Sequence, residues 1–211
     1  MGRKKQGLPL AGRPVLRWTL DVFEATAAVR GVVVAVPAED VGVWRRRLAG
    51  CRKVRAVVAG GAERQASVAR GLAAVPAEVP WIVVHDGVRP CITPALVRRV
   101  VAAAQEHGTA IAALPIAETV KRGADGWVEE TVDRDGLWAV QTPQAFRADL
   151  LREAHRRAAA EGVLGTDDAA LVERLGVPVR LVPGLSGNVK ITRLEDLPLA
   201  RALVSRRRAA G

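Results

Sequence analysis

WIVVHDGVRP, residues 81–90, decides the fold. Its first half is a short β-branched apolar run, which reads as a strand buried on both faces, Trp81 to Asp86. It then breaks into an acid, a glycine, an arginine and a proline. A strand buried on both faces needs helices above and below it, and the flanking sequence supplies them. Toward the N-terminus lie a helical pattern from Ser67 to Val75 and a strand, VRAVVAGG, ending at Gly61. Before these come a helical pattern from Asp40 to Leu48, the apolar run GVVVAVP from Gly31 to Pro37, and a helix from Pro14 to Ala25 with proline at its start. Toward the C-terminus a helix from Thr93 to His107 precedes the strand AIAALPI, Ala110 to Ile116. Strands alternating with helices predict an α/β fold, a mostly parallel sheet with helices on both faces.

The period then breaks. Glu118 to Trp138 is charged, carries only scattered apolar residues, and has an Ala-Asp-Gly turn signal at Ala124 to Gly126. This predicts a β-hairpin arm, placed at about residues 117–142. An isolated hairpin is marginal in water, so the arm is expected to pack on something, such as a second subunit. Helical patterns resume at Ala148 to Glu161 and Asp167 to Leu175. Strand-like segments follow at Val177 to Val182 and Asn188 to Thr192, then a helix from Leu194 to Arg206. With no internal repeat or low-complexity linker, residues 1–211 are expected to form one domain with an arm.

Composition narrows the function classes. Of 211 residues, 49% are hydrophobic, enough for a sizeable core. No apolar run approaches the roughly 20 residues needed to span a bilayer, and the basic start lacks the apolar core of a signal peptide. Cys51 and Cys91 show neither a disulfide framework nor metal-ligand spacing. These features predict a cytoplasmic, reduced protein without a membrane partner. The net charge of +10 and pI of about 11.0 suit either nucleic acid or polyanionic substrates. The arginines are spread along the chain and no aromatic residues interleave with basic ones, so nucleic acid is not expected as a partner.

Four polar clusters fall where a strand ends or near the arm. AGGAERQASV, Ala59 to Val68, puts two glycines between a strand and a helix start, where backbone can approach a ligand closely or simply turn. In HDGVRP, Asp86 can accept from sugar hydroxyls or hold metal-bound water. Arg89 can grip phosphate in a fork. The same two residues could equally pin the loop to each other. The arm holds Thr119, Lys121, Arg134 and Thr142, which also fit a solvated hairpin. In GNVKIT, Gly187 to Thr192, Lys190 points opposite Val189 and Ile191, either as an edge charge or as a cation facing phosphate. His85, His107 and His155 are scattered and no serine lies in a G-x-S-x-G elbow. The chemistry implied is electrostatic, as in nucleotidyl transfer.

In order, LAGRPVLRWTL, GGAERQASVARGL, VVHDGVRP, ETVKR, VDRDGLWAVQTPQAF, TDDAALVERLG and NVKITRLEDLPLA resemble the 2-C-methyl-D-erythritol 4-phosphate cytidylyltransferases, from about Gly2 to about Val204. The resemblance implies a glycosyltransferase-A-like, Rossmann-like fold and a homodimer formed through the arm. It implies transfer of cytidylyl from CTP to a sugar-alcohol phosphate in non-mevalonate isoprenoid synthesis. A divalent cation, normally Mg²⁺, would be held mainly by the CTP phosphates, with no metal ligands on the chain. The family's Pro-Lys-Gln motif falls on Lys4, Lys5 and Gln6, which makes Lys5 a transition-state stabiliser. Gly61, Arg64 and Ser67 fall in the segment that cradles cytidine, and Asp86 and Arg89 where the substrates meet. Thr119, Arg134 and Thr142 belong to the arm that reaches the acceptor. Arg134 and Lys190 resemble the pair that positions its phosphate.

The chain departs from the family's pattern in places. Lys4 replaces a proline, and Gly87-Val88 an Ala-Ala pair. The family opens with a strand and a loop of the form A-A-G-x-G-x-R-M-G, of which Met1-Gly2 matches only the end. The expectation is a chain that starts at an internal methionine, nearly inactive and marginally stable, with unpaired backbone on the strands at Val32 to Val36 and Trp81 to Val84. The nearest alternative activity is cytidylyl transfer to ribitol 5-phosphate. A binding protein of the same fold without turnover, and a basic nucleic-acid binder, are the alternatives from other classes.

Overall fold

The computed structural model describes residues 5–209. A small hairpin (β1, Pro9–Leu10; β2, Arg13–Pro14) leads into α1 (Val15–Ala25), β3 (Val32–Val36), α2 (Val41–Arg47), β4 (Val54–Ala59), α3 (Arg64–Ala73) and β5 (Trp81–Val84). Next come α4 (Pro94–His107), β6 (Thr109–Pro115), β7 (Val120–Ala124), β8 (Trp127–Val132), β9 (Trp138–Arg147), α5 (Ala148–Glu161), α6 (Asp168–Glu173), β10 (Arg180–Pro183) and α7 (Asp196–Ala209). Local chemistry sets the boundaries. Thr93 caps α4 by accepting from the Leu96 amide at 3.2 Å, and Gly108 ends that helix at φ 88°.

Strand alternation distributes the core. Ala110, Ala112, Ala145 and Val182 face one side of a four-stranded sheet, where α1 and α4 supply Val22, Phe23, Leu96, Val97 and Val100. Ile82, Ile111 and Phe146 face the other side, against Leu72 of α3, Leu151 and Ala154 of α5 and Leu171 of α6. The small alanines of β6 let α4 lie close, and the larger Ile111 and Phe146 fill the opposite layer. Helices thus cover both faces, as the buried strand pattern requires.

The order in this sheet is β10-β6-β9-β5. β10 runs parallel to β6, whereas β9 runs antiparallel to both β6 and β5, so the sheet is mixed. β3 and β4 form a separate parallel pair. Among the described residues neither β3 nor β5 has a second strand neighbour.

β9 was not legible as a strand because its middle reads Gln-Thr-Pro-Gln, and proline argues against an interior strand. The structure accommodates it at an irregularity. Ile111 pairs with Gln144 and Ala113 with Val140, so extra residues of β9 bulge between the two pairs. Thr142 therefore belongs to the main sheet, 4% exposed, and the arm ends before it. The arm itself is the β7–β8 hairpin, turned at Asp125 (φ 52°) and Gly126 (φ 85°). The segment expected as a strand at Asn188 to Thr192 is irregular, held by the Ile191 amide donating to Val88 O at 2.9 Å.

Candidate active site

The turn after β4 is built on close approach. A Cβ on Gly61 would lie 2.4 Å from the Ala66 Cβ, so only glycine lets the turn lie against the start of α3. The Gly61 amide donates to Ser67 Oγ at 3.0 Å, and that hydroxyl donates to Glu63 O at 3.1 Å. Ser67 thus closes the turn. Arg64, the first residue of α3, extends across to the end of β5.

There it meets Asp86, on which three cations converge. Arg64 Nε lies 3.1 Å from Oδ1, while Lys190 Nζ at 3.0 Å and Arg89 Nε at 3.3 Å share Oδ2. Burial alone would raise the Asp86 carboxyl. Lys190 and Arg64 outweigh it and hold the group well below the ordinary carboxylate range. Arg89, 9% exposed, also donates to Asn188 O at 2.8 Å. This bond ties the loop after β5 to the segment that carries Lys190.

The β9 bulge fastens these loops. The Asp86 amide donates to Thr142 Oγ1 at 3.1 Å, and Thr142 Oγ1 lies 2.9 Å from His85 Nδ1. The Arg89 carbonyl, 3.4 Å from His85 Nε2, can only accept, so the imidazole proton sits on Nε2 and Nδ1 accepts from the Thr142 hydroxyl. Burial pushes this imidazole down to about 4, so it is neutral at pH 7. Beside it, Asn188 Nδ2 donates to Thr142 O at 2.8 Å and to Gln141 Oε1 at 3.1 Å.

Of the residues singled out in the sequence, the structure brings Arg64, Asp86, Arg89, Thr142 and Lys190 together, with Gly61 and Ser67 shaping the adjoining turn. Lys5 lies in a short 3-10 turn, Lys5–Gly7, before the first hairpin. Lys4 lies outside the described residues. Thr119 and Arg134 are exposed at the base of the arm, where Arg134 Nη1 donates to Ala117 O. No contact joins Arg134 to Lys190 within the described residues. Sequence reasoning missed His85 as a partner of Thr142, and it missed Gln141 and Asn188 as fasteners. Polar side chains that fasten loops, with Asn188 buried and His85 and Gln141 half-buried, leave no periodic signal. Among the described residues no group of three or more His, Cys, Asp or Glu side chains could hold a metal.

An α/β sheet whose strand ends gather a glycine turn, two guanidinium groups, an ammonium and an ionised carboxylate suits a nucleotidyltransferase, a class whose chemistry is positioning and charge stabilisation. The comparisons agree. The family model for IspD, 2-C-methyl-D-erythritol 4-phosphate cytidylyltransferase, matches residues 1–206. The chain is 48% identical over 206 residues to the enzyme of that name from Geobacter metallireducens, covering 95% of this chain and 89% of the relative. The crystal structure of the enzyme from Thermus thermophilus matches with a TM-score of 0.82 at 39% identity, over 97% of this chain and 95% of that one. The structure of 4-diphosphocytidyl-2C-methyl-D-erythritol synthase from Anaerococcus prevotii matches with a TM-score of 0.86 at 30% identity, over 94% of this chain and 88% of that one. The chain belongs to the 2-C-methyl-D-erythritol 4-phosphate cytidylyltransferase family.

Proposed function

We propose that this chain transfers cytidylyl from CTP to 2-C-methyl-D-erythritol 4-phosphate. An oxygen of the acceptor phosphate attacks the α-phosphorus of CTP. The bond from that phosphorus to the oxygen bridging to the β-phosphate breaks, and pyrophosphate leaves. The observation that carries this reading is the convergence of Arg64, Arg89 and Lys190 on Asp86 beside the Gly61 turn. Negative charge gathers on phosphoryl oxygens in such a reaction, and preorganised cations stabilise it.

In this reading the Gly61 turn, Arg64 and Ser67 hold the cytidine, and Asp86, Arg89, Thr119 and Thr142 order the substrates. Lys5 stabilises the transferring phosphoryl group, and Lys190 and Arg134 hold the acceptor phosphate. Lys190 has three N–H donors, so one can stay on Asp86 while others meet phosphate. The residues around Asp86 do not make a metal site, since both its oxygens face cations. A divalent cation such as Mg²⁺ belongs with the CTP phosphates, whose charge it would neutralise. On this reading the arm of one copy would bring Arg134 to the site of a second, and the working unit would be a homodimer. Free thiols at Cys51 and Cys91 suit a reducing, cytoplasmic compartment.

The test is ³¹P NMR of the chain with CTP, Mg²⁺ and methylerythritol phosphate, with ribitol 5-phosphate in a parallel sample. New diphosphate signals and pyrophosphate with the first acceptor support the reading. Turnover of ribitol phosphate alone would replace the acceptor, and CTP binding without turnover of either would make the chain a binding protein.

A further inference from the structure

Arg64 is held between two carboxylates, and only one of them belongs to the cluster described above. Its Nη1 lies 2.7 Å from Asp168 Oδ2, and its Nε 3.1 Å from Asp86 Oδ1. Asp168 is 1% exposed, and its other oxygen lies 3.0 Å from Nε2 of His155, itself 6% exposed. A carboxylate this deep is costly to bury and is weak as a source of stability. It does, however, hold one end of the guanidinium by charge. The pair is close at 2.7 Å but lacks hydrogen-bond alignment, which leaves Asp168 Oδ2 without a hydrogen-bond partner among the described residues. Attraction across a short distance in a buried setting sets the position.

The segment carrying Asp168 is itself braced. Asp167 accepts from the Ala170 amide at 2.9 Å and from Gln144 Nε2 of β9 at 2.6 Å. One residue beyond Arg64, Gln65 donates to Val163 O at 3.0 Å and accepts from the Gly165 amide at 2.9 Å. Two successive residues of α3, Arg64 and Gln65, are thus clamped to residues 163–168. Burial opposes charge on Arg64, and Asp168 and Asp86 more than restore it. Its Nη2 has no protein partner among the described residues, and the side chain is 33% exposed. The free edge of a guanidinium held on its other two nitrogens is where a ligand would be met.

We propose that Asp168, backed by His155, is a positioning residue that holds the Arg64 guanidinium in the geometry that binds CTP, so that the α5–α6 layer sets nucleotide affinity. This rests on the nucleotide role given to Arg64 above. His155 acts at one remove, because its Nε2 orients the Asp168 carboxylate while its Nδ1 has no partner.

Two readouts test this separately from the assigned reaction. The first needs no nucleotide. The Nε–H NMR resonance of Arg64 should be sharp and exchange slowly in the wild type, and should broaden in Asp168→Asn. An unchanged resonance overturns the positioning role, even if the chain binds no CTP and the reading of the reaction fails. The second is CTP titration with steady-state kinetics. Asp168→Asn should weaken CTP about ten-fold, the scale of one charge-assisted contact, with kcat changed much less. In an Arg64→Ala background the same substitution should change affinity less than about two-fold. An equal loss in both backgrounds means Asp168 acts on the fold and overturns the proposal. If Asp168→Asn does not fold, Arg64→Lys decides: lysine cannot span both carboxylates, so it should match Arg64→Ala, and wild-type affinity in Arg64→Lys would overturn the proposal.

Discussion

Lys190 Nζ lies 3.0 Å from Asp86 Oδ2, the oxygen that Arg89 Nε also approaches at 3.3 Å. The two cations are not equivalent. Arg89 is buried and spends Nη1 on Asn188 O, whereas the Lys190 side chain is 40% exposed. Arg89 therefore holds the loop, and Lys190 remains able to meet a phosphate. Lys190→Ala should slow turnover more than it weakens CTP, by about ten- to a hundred-fold, which is roughly 1.5–3 kcal/mol. Arg134→Ala should do the same, since both cations are assigned to the acceptor. Steady-state kinetics against each substrate checks this. Normal acceptor kinetics with poor CTP affinity would move both residues to the nucleotide.

His85 makes stability depend on pH in a defined window. Its imidazole is pushed by burial from 6.5 down to about 4. Between those values the unfolded chain takes up a proton that the folded chain refuses, so stability falls as pH falls. The contribution is full above about pH 6.5 and gone below about pH 4. Asp86, held below the ordinary carboxylate range, adds its own loss only at lower pH. Melting curves from about pH 7.5 to about pH 4 should show the decline. His85→Gln should melt lower at neutral pH but with a flatter slope through the window, and parallel slopes would remove His85 as the cause.

The fold was readable wherever packing imposes a period. β5 and β6 are buried on both faces and announce it as unbroken apolar runs. β9 does not, because Gln141 and Thr142 turn their polar groups to neighbouring loops and Gln144 to Asp167, all within a strand. The site was readable where a residue type has few uses, as with Asp86 and Arg89 past a strand. Asp168 was hidden because an Asp-Asp pair before a short helix reads as capping, and Asp167 alone meets that need. Only the tertiary fold shows that its neighbour reaches Arg64.

The arm should carry the dimer. Trp127 is 80% exposed and Val128 65%, at the tip of a hairpin with no core of its own. Large apolar groups so placed favour burial against another chain. The wild type should sediment as a dimer. The double substitution Trp127→Ser, Val128→Ser should sediment as a monomer with little change in the helical core. If Arg134 serves a second copy, turnover should fall with the dimer population and recover at high concentration. A fully active monomer at high dilution would show that each chain completes its own site.

Two glycines of the same helix region should respond to alanine with opposite signs. At Gly61 the new Cβ would sit 2.4 Å from the Ala66 Cβ and 3.1 Å from its carbonyl carbon, so turn and helix must separate. Overpacking of this kind costs about 1–3 kcal/mol. Separation also breaks the bond from the Gly61 amide to Ser67 Oγ and shifts Arg64, at the head of the helix, relative to Asp86 and Asp168. Gly61→Ala should therefore lower the melting temperature and raise the KM for CTP together. Gly71 lies inside α3, and nothing stands within 4 Å of where its Cβ would be. Alanine there removes unfolded-state freedom and favours the helix by about 0.5–1 kcal/mol. Gly71→Ala should raise the melting temperature and leave the KM for CTP alone. Thermal melts and CTP kinetics on both variants check the pair. If Gly61→Ala destabilises but keeps normal CTP kinetics, the turn after β4 is structural and the nucleotide lies elsewhere.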